Sequence, residues 1–195
     1  MLSYEESLKI LKETNALLVG HFILSSGLHS DQYVQCAKLL SQPKKSKILC
    51  SSLVEKIKSS YQEIDIILSP AIGGIVIGYE VGRQLEINTI FAERQNNKLI
   101  LRRGFNIPKK AKVLVVEDVI TTGKSALECH KIIKQSEASI VGFSCMIDRS
   151  DSKVLIKDKI VSQIKLPLKT YTEKNIPENL KKIQPIKPGS RPINK

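Results

Sequence analysis

Residues 113–125 read Val-Leu-Val-Val-Glu-Asp-Val-Ile-Thr-Thr-Gly-Lys-Ser, and few folds accommodate such a stretch. Four apolar residues, Val113 to Val116, make the short run expected of a strand buried on both faces. Glu117 and Asp118 follow at its expected carboxyl end. A loop of hydroxyls and glycine comes next, and Ser125-Ala126-Leu127-Glu128 opens a helix. Ligands of open α/β sheets bind at the carboxyl ends of the strands, so the segment is a candidate site as well as a piece of scaffold. Backbone N–H groups, the hydroxyls of Thr121, Thr122 and Ser125, and a helix N-terminus can together hold a phosphate. The two carboxylates can accept hydrogen bonds from vicinal sugar hydroxyls. The chemistry is that of a phosphorylated sugar.

A nucleotide-hydrolysing loop is excluded by spacing. Gly123-Lys124-Ser125 matches the end of the pattern G-x-x-x-x-G-K-[ST], but its first glycine would fall at Asp118. A carboxylate there would repel the β-phosphate that such a loop must cradle.

The rest of the chain alternates strands with helices. Apolar positions at Leu8, Leu11, Leu17 and Leu18 fit an amphipathic helix over 4–19, ended by Gly20. Residues 20–36 read as extended and turn-rich. A second helix starts near Pro43, and Ile64 to Leu68 forms a buried strand. Ser69-Pro70-Ala71-Ile72-Gly73-Gly74 turns into a helix carrying Ile77, Val81 and Leu85. Strands at Asn88–Ala92, 113–116 and 140–147 complete the pattern, with a helix to about Gln135. Such alternation implies an α/β fold with a mostly parallel sheet. Residues 1–40 form an N-terminal helix and a small lobe, 41–170 the core. Residues 171–195, rich in lysine and proline, form irregular structure or a mobile tail.

Composition narrows the class further. A length of 195 residues suits one domain with a substantial core. No apolar run approaches the roughly 20 residues that span a bilayer, and the N-terminus lacks a secretory pattern. Cys36, Cys50, Cys129 and Cys145 are scattered, which fits reduced thiols in a cytoplasmic protein rather than a disulfide frame or a zinc site. The net charge of +12 is spread through a chain with few aromatics to stack bases, so a basic surface is favoured over a nucleic-acid partner.

Two further segments carry chemistry. Ala71, Gly73 and Gly74 lie at a second strand-to-helix turn, where bare backbone and a helix N-terminus can meet an oxyanion. Two anion loops on one sheet edge suit a sugar with phosphates at both ends. Residues 91–105 carry Arg94, Lys98, Arg102 and Arg103 around a Gln-Asn-Asn turn. They read equally as a solvated hairpin or as a mobile loop that neutralises a leaving diphosphate.

The segment Glu117-Asp118-Val119-Ile120-Thr121-Thr122-Gly123-Lys124-Ser125 resembles the phosphoribosyl-diphosphate (PRPP) signature of type I phosphoribosyltransferases. Within that family, Gly20 to Ser30 is similar to the hood of the orotate enzymes, as is Ile147-Asp148-Arg149 after the signature helix. The resemblance implies a type I phosphoribosyltransferase fold, a parallel sheet flanked by helices beneath a small N-terminal hood. It also implies Mg²⁺, held mainly by PRPP and not by direct side-chain ligation, and a homodimer whose loop 93–104 reaches the neighbouring site. Carried onto this chain, the whole stretch 117–125 binds PRPP together with Ala71, Gly73 and Gly74. Glu117 and Asp118 take the ribose hydroxyls, and Thr121 to Ser125 the 5-phosphate. Orotate falls to Thr121, Arg149, Ser26 and Gly27, and catalysis to Asp118, Arg94 and Lys98.

Three departures stand out. Gly73 and Ser25 occupy positions where many members carry lysine, and the mobile loop lacks its usual histidine. His29 reads as a surface or capping residue rather than a base. A purine-base phosphoribosyltransferase, or an RNA-binding regulator on the same fold, are the alternatives. A purine needs no arginine for a carboxylate, so Arg149 favours orotate.

Overall fold

The computed structural model describes residues 1–24, 26–150 and 154–188; Ser25 and the tail beyond 188 lie outside the described residues. A six-stranded sheet forms the centre, in the order β5-β4-β3-β6-β7-β8. Its strands are β3 (Ile66–Pro70), β4 (Asn88–Gln95), β5 (Lys98–Leu101), β6 (Lys112–Ile120), β7 (Ser139–Asp148) and β8 (Ile160–Lys165). All neighbours pair in parallel except β4 and β5, which form an antiparallel hairpin.

Alternation along the strands divides the core between two faces. Ile67, Leu114, Val116 and Met146 pack with α1 (Tyr4–Glu13), α2 (Cys36–Leu40), α3 (Pro43–Ser60) and α4 (Gly73–Leu85). Ile66, Leu68, Val113, Val115, Phe143 and Cys145 pack with α5 (Lys124–Gln135) on the other face. The α5 contribution comes from Ala126, Cys129, Ile132 and Ile133, at helical spacing.

The N-terminal reading needs one correction. The first helix stops at Glu13, and Gly20 lies inside a strand instead of ending a helix. Thr14 caps the helix by donating its hydroxyl to the Ile10 carbonyl at 2.8 Å, and Asn15 turns the chain at φ 54°. Leu17 and Leu18 then enter β1 (Leu17–Ile23), which pairs antiparallel with β2 (His29–Val34). Paired leucines satisfy either a helical or an extended period, so the local break decides. The strand predicted over Ile64–Leu68 starts two residues later, and β8 and α2 were not foreseen.

Residues 169–186 fasten the β1–β2 hairpin down. His29 and Tyr171 exchange backbone hydrogen bonds at 2.8 Å, and the Ser30 hydroxyl donates to the Lys169 carbonyl. Ile186 donates to the His21 carbonyl while Ile23 donates to that of Ile186. The stretch holds a turn of 3-10 helix at Glu173–Asn175 and a short helix α6 (Glu178–Lys181), whose Leu180 is buried. A two-stranded sheet alone is marginal in water, and this strap gives it further partners.

No described helix is long and apolar enough to cross a membrane. The four cysteines are free and buried.

Candidate active site

β6 makes the site by parting from β3. The two strands pair only as far as Leu68 opposite Val115. Beyond that, β3 continues beside β4 to Pro70 opposite Ala92, while β6 continues beside β7 to Ile120 opposite Asp148. The following helices, α4 and α5, cover opposite faces of the sheet. This is the topological switch point at which open α/β sheets bind ligands.

Glu117 and Asp118 were expected just past the strand, but β6 runs on to Ile120 because β7 offers partners that far. Adjacent strand residues point to opposite faces, and the two carboxylates do so. Glu117 lies toward α5, where burial raises the Cys129 thiol pKa and the Glu117 charge adds to that shift. Asp118 lies toward α2 and α4. Burial pushes the Cys36 thiol well up, and the Asp118 charge adds to that shift. A Cβ built on Gly73 would stand 2.7 Å from both Asp118 carboxylate oxygens, so only glycine lets the α4 N-terminus approach so closely. Neither a capping side chain nor an acidic residue occupies that helix's first turn. Gly74 is buried against Ser69, Pro70 and the Val116 carbonyl.

The cavity on the α5 side measures about 470 Å³ and is lined by Arg94, Asn97, Glu117, Val119 and the loop Thr121–Ser125. Gly123 caps α5 at φ 77°, and a side chain there would collide with Ile156 at 2.7 Å. The loop is held from below by the Leu155 N–H, which donates to the Thr122 carbonyl at 2.9 Å. α5 has no side-chain cap and no acid in its first turn, leaving a positive helix end beside Lys124.

Other site residues from the sequence fall in four places. Ile120 is 1% exposed and serves the core, while its carbonyl accepts the Arg149 N–H at 2.8 Å. Lys98 is exposed at the hairpin turn and does not line the cavity, whereas Arg94 does. Ser26 and Gly27 are exposed at the hood tip, with Gly27 at φ 80°, and do not line it either. Ala71 donates its N–H to the Ala92 carbonyl, tying the second anion loop to β4.

Arg149 follows β7, in a turn where the Ser150 N–H donates to Asp148 Oδ1. Its Nε is buried with no hydrogen-bond partner among the described residues. Burial lowers the guanidinium pKa, and the hydroxyl of Tyr33 on β2 acts in the opposite sense. A buried donor without a partner costs about 1–3 kcal/mol, so an unpartnered Nε at this place is a cost that the fold itself does not offset.

Sequence reasoning missed Asn97, Tyr33 and Glu128. Asn97 carried a signal, because consecutive asparagines at φ 48° and 61° are the chemistry of a tight hairpin turn. Tyr33 and Glu128 meet their partners only through tertiary contacts.

The phosphoribosyl transferase domain family matches residues 37–181, and the chain belongs to that family. Orotate phosphoribosyltransferase of Caldanaerobacter subterraneus subsp. tengcongensis is 43% identical over 189 residues, covering 97% of this chain and 98% of its own. The enzyme of the same name from Methylorubrum extorquens is 43% identical over 192 residues, covering 98% of each. Among solved structures, orotate phosphoribosyltransferase from Aeropyrum pernix superposes with a TM-score of 0.71 at 22% identity. That match covers 81% of this chain and 92% of the other, and shows the shared fold.

Proposed function

We propose that this protein is an orotate phosphoribosyltransferase, forming orotidine 5'-phosphate and diphosphate from orotate and PRPP in pyrimidine synthesis. The observation that carries the choice of acceptor is Arg149, whose buried, unpartnered Nε offers a planar, charge-assisted grip for the orotate carboxylate.

In this reading the α5 N-terminus and Thr121–Ser125 hold the 5-phosphate, and the ribose lies across the end of β6 between Glu117 and Asp118. The leaving diphosphate falls by Ala71, Gly73 and Gly74, next to the Asp118 carboxylate that approaches Gly73. Two anions so placed repel, which is where a divalent cation fits. Among the described residues no cluster of three or more His, Cys, Asp or Glu is placed to hold a metal. Mg²⁺ would be held mainly by PRPP oxygens, while Glu117 and Asp118 accept hydrogen bonds from the ribose hydroxyls. When bound, it would neutralise charge developing on the diphosphate. Arg94, in the wall of the α5-side cavity, adds positive charge beside the loop Thr121–Ser125. The hood excludes water, which otherwise competes as the nucleophile. Four buried, free thiols support a reducing compartment such as the cytoplasm.

A homodimer belongs to the same reading. Ile72, just before α4, and Val76 and Tyr79 on it are 85%, 50% and 65% exposed and recur at positions i, i+4 and i+7. An apolar stripe of this kind is the mark of an association surface. Arg94 serves its own protomer's cavity, leaving Lys98, outside it, to reach the neighbouring one. Sedimentation should give twice the 21.8 kDa chain mass, and Tyr79→Asp should shift it toward the single-chain value. A wild-type protein that sediments as one chain would refute the dimer.

Turnover settles the activity. With PRPP and Mg²⁺, orotate absorbance should fall in step with diphosphate release, and adenine, hypoxanthine and uracil should give no product. Consumption of adenine or hypoxanthine in place of orotate would overturn the reading.

A further inference from the structure

Glu128 joins the cationic hairpin to the phosphate loop. It sits on α5, one turn after Lys124 and Ser125, with only 17% of its side chain exposed. Its Oε2 accepts two hydrogen bonds, one from Arg94 Nη1 at 3.1 Å and one from the Leu99 N–H at 3.2 Å. Arg94 and Leu99 face each other across the β4–β5 ladder, so a single oxygen holds both strands at one register position. β5 is the edge strand of the sheet, and Glu128 satisfies an outward N–H there. The Arg94 guanidinium also donates to the Asn97 carbonyl at 2.8 Å, which fixes it from the turn side.

A carboxylate so near an anion-binding loop weakens phosphate binding by repulsion. Packing alone would not select a charge at this place. Its pairing with Arg94 and Leu99 gives the charge a use, because it determines where the guanidinium stands. Without Glu128 the hairpin keeps its turn and the apolar packing of Leu99 but loses its polar tie to α5, and Arg94 is held only by the Asn97 carbonyl.

We propose that Glu128 is a positioning residue for phosphoribosyl transfer, seating the β4–β5 hairpin against α5 so that Arg94 lines the cavity. The proposal rests on the reading above, in which Arg94 acts on the substrate's phosphates.

The test compares Glu128→Ala, Glu128→Gln, Arg94→Ala and the Glu128→Ala/Arg94→Ala pair in the full chain. In the free protein, hydrogen exchange at the Leu99 amide should accelerate at least about tenfold in Glu128→Ala, while β3 and β6 keep their protection. Glu128→Gln retains an acceptor oxygen and should keep most of that protection. In kinetics, Glu128→Ala should lower kcat by about 10- to 100-fold, the range for a misplaced catalytic group, with orotate KM little changed. The double variant should be no slower than Arg94→Ala, since both changes remove one effect. Unchanged Leu99 exchange in Glu128→Ala would overturn the latch itself. Full turnover by Arg94→Ala would overturn the positioning role from the other side, by removing the group that is positioned. Strictly additive losses in the double variant would also refute it.

Discussion

Arg149→Met should raise the KM for orotate by about 100-fold, while the KM for PRPP stays within about twofold. Truncating one partner of a buried charge pair costs about 2–5 kcal/mol, and each 1.36 kcal/mol is tenfold. The second half of the expectation separates a ligand-binding role from a structural one. Nε of Arg149 is buried without a partner, so the free protein bears its desolvation cost with no compensating bond. Methionine keeps an apolar stem and removes the donor. Stability against urea should therefore hold or rise by about 1 kcal/mol. A variant with weaker orotate binding and a firmer fold would place the cost of Arg149 in ligand recognition. An unchanged orotate KM would remove Arg149 from the site.

Asp118→Asn should lower kcat by about 100- to 1000-fold, the usual loss when one preorganised electrostatic contact to a transition state is removed. The amide is nearly isosteric with the carboxylate, so Tm should move by only a few degrees. Gly73→Ala offers an independent approach to the same group. The added methyl would meet both Asp118 oxygens at 2.7 Å, so either the carboxylate or the α4 N-terminus must move. The expected result is again a loss in kcat, with the double variant well short of the summed effects, because both changes act on one carboxylate. Near-wild-type turnover in Asp118→Asn would sink the assignment. Loss only in Gly73→Ala would instead attribute the effect to the loop's backbone.

Much of the fold could be read from runs of apolar residues. Val113–Val116 and Ile140–Ile147 lie in buried parallel strands, whose continuous hydrophobicity differs from any surface element. Pro43 marked the start of α3, and Gly123 the turn into α5, for reasons local to the backbone. The hood was less legible. Leu17 and Leu18 satisfy two periodicities, and Asn15 in the left-handed region chose between them. β8 reads Ile-Val-Ser-Gln-Ile-Lys, too short and mixed to stand out before β7 offered it a partner.

The site divides along the same line. The segment 117–125 was visible because its loop, helix end and acids are contiguous in sequence. Lys98 was weighed equally with Arg94, since nothing local shows that one faces the cavity and the other the solvent. Only the hairpin register and the contact with Glu128 separate them.

The strap over the hood has a consequence for the order in which the protein is made. Both anion loops lie between Ser69 and Ser125, in the middle of the chain, whereas β1 and β2 come early and the strap that fixes them comes after Leu168. During synthesis both strand-to-helix loops are complete in sequence while the hood's fastening is still unmade. The hairpin at Leu17–Val34 thus waits through most of translation for the backbone partners at Lys169, Tyr171 and Ile186 that fasten it.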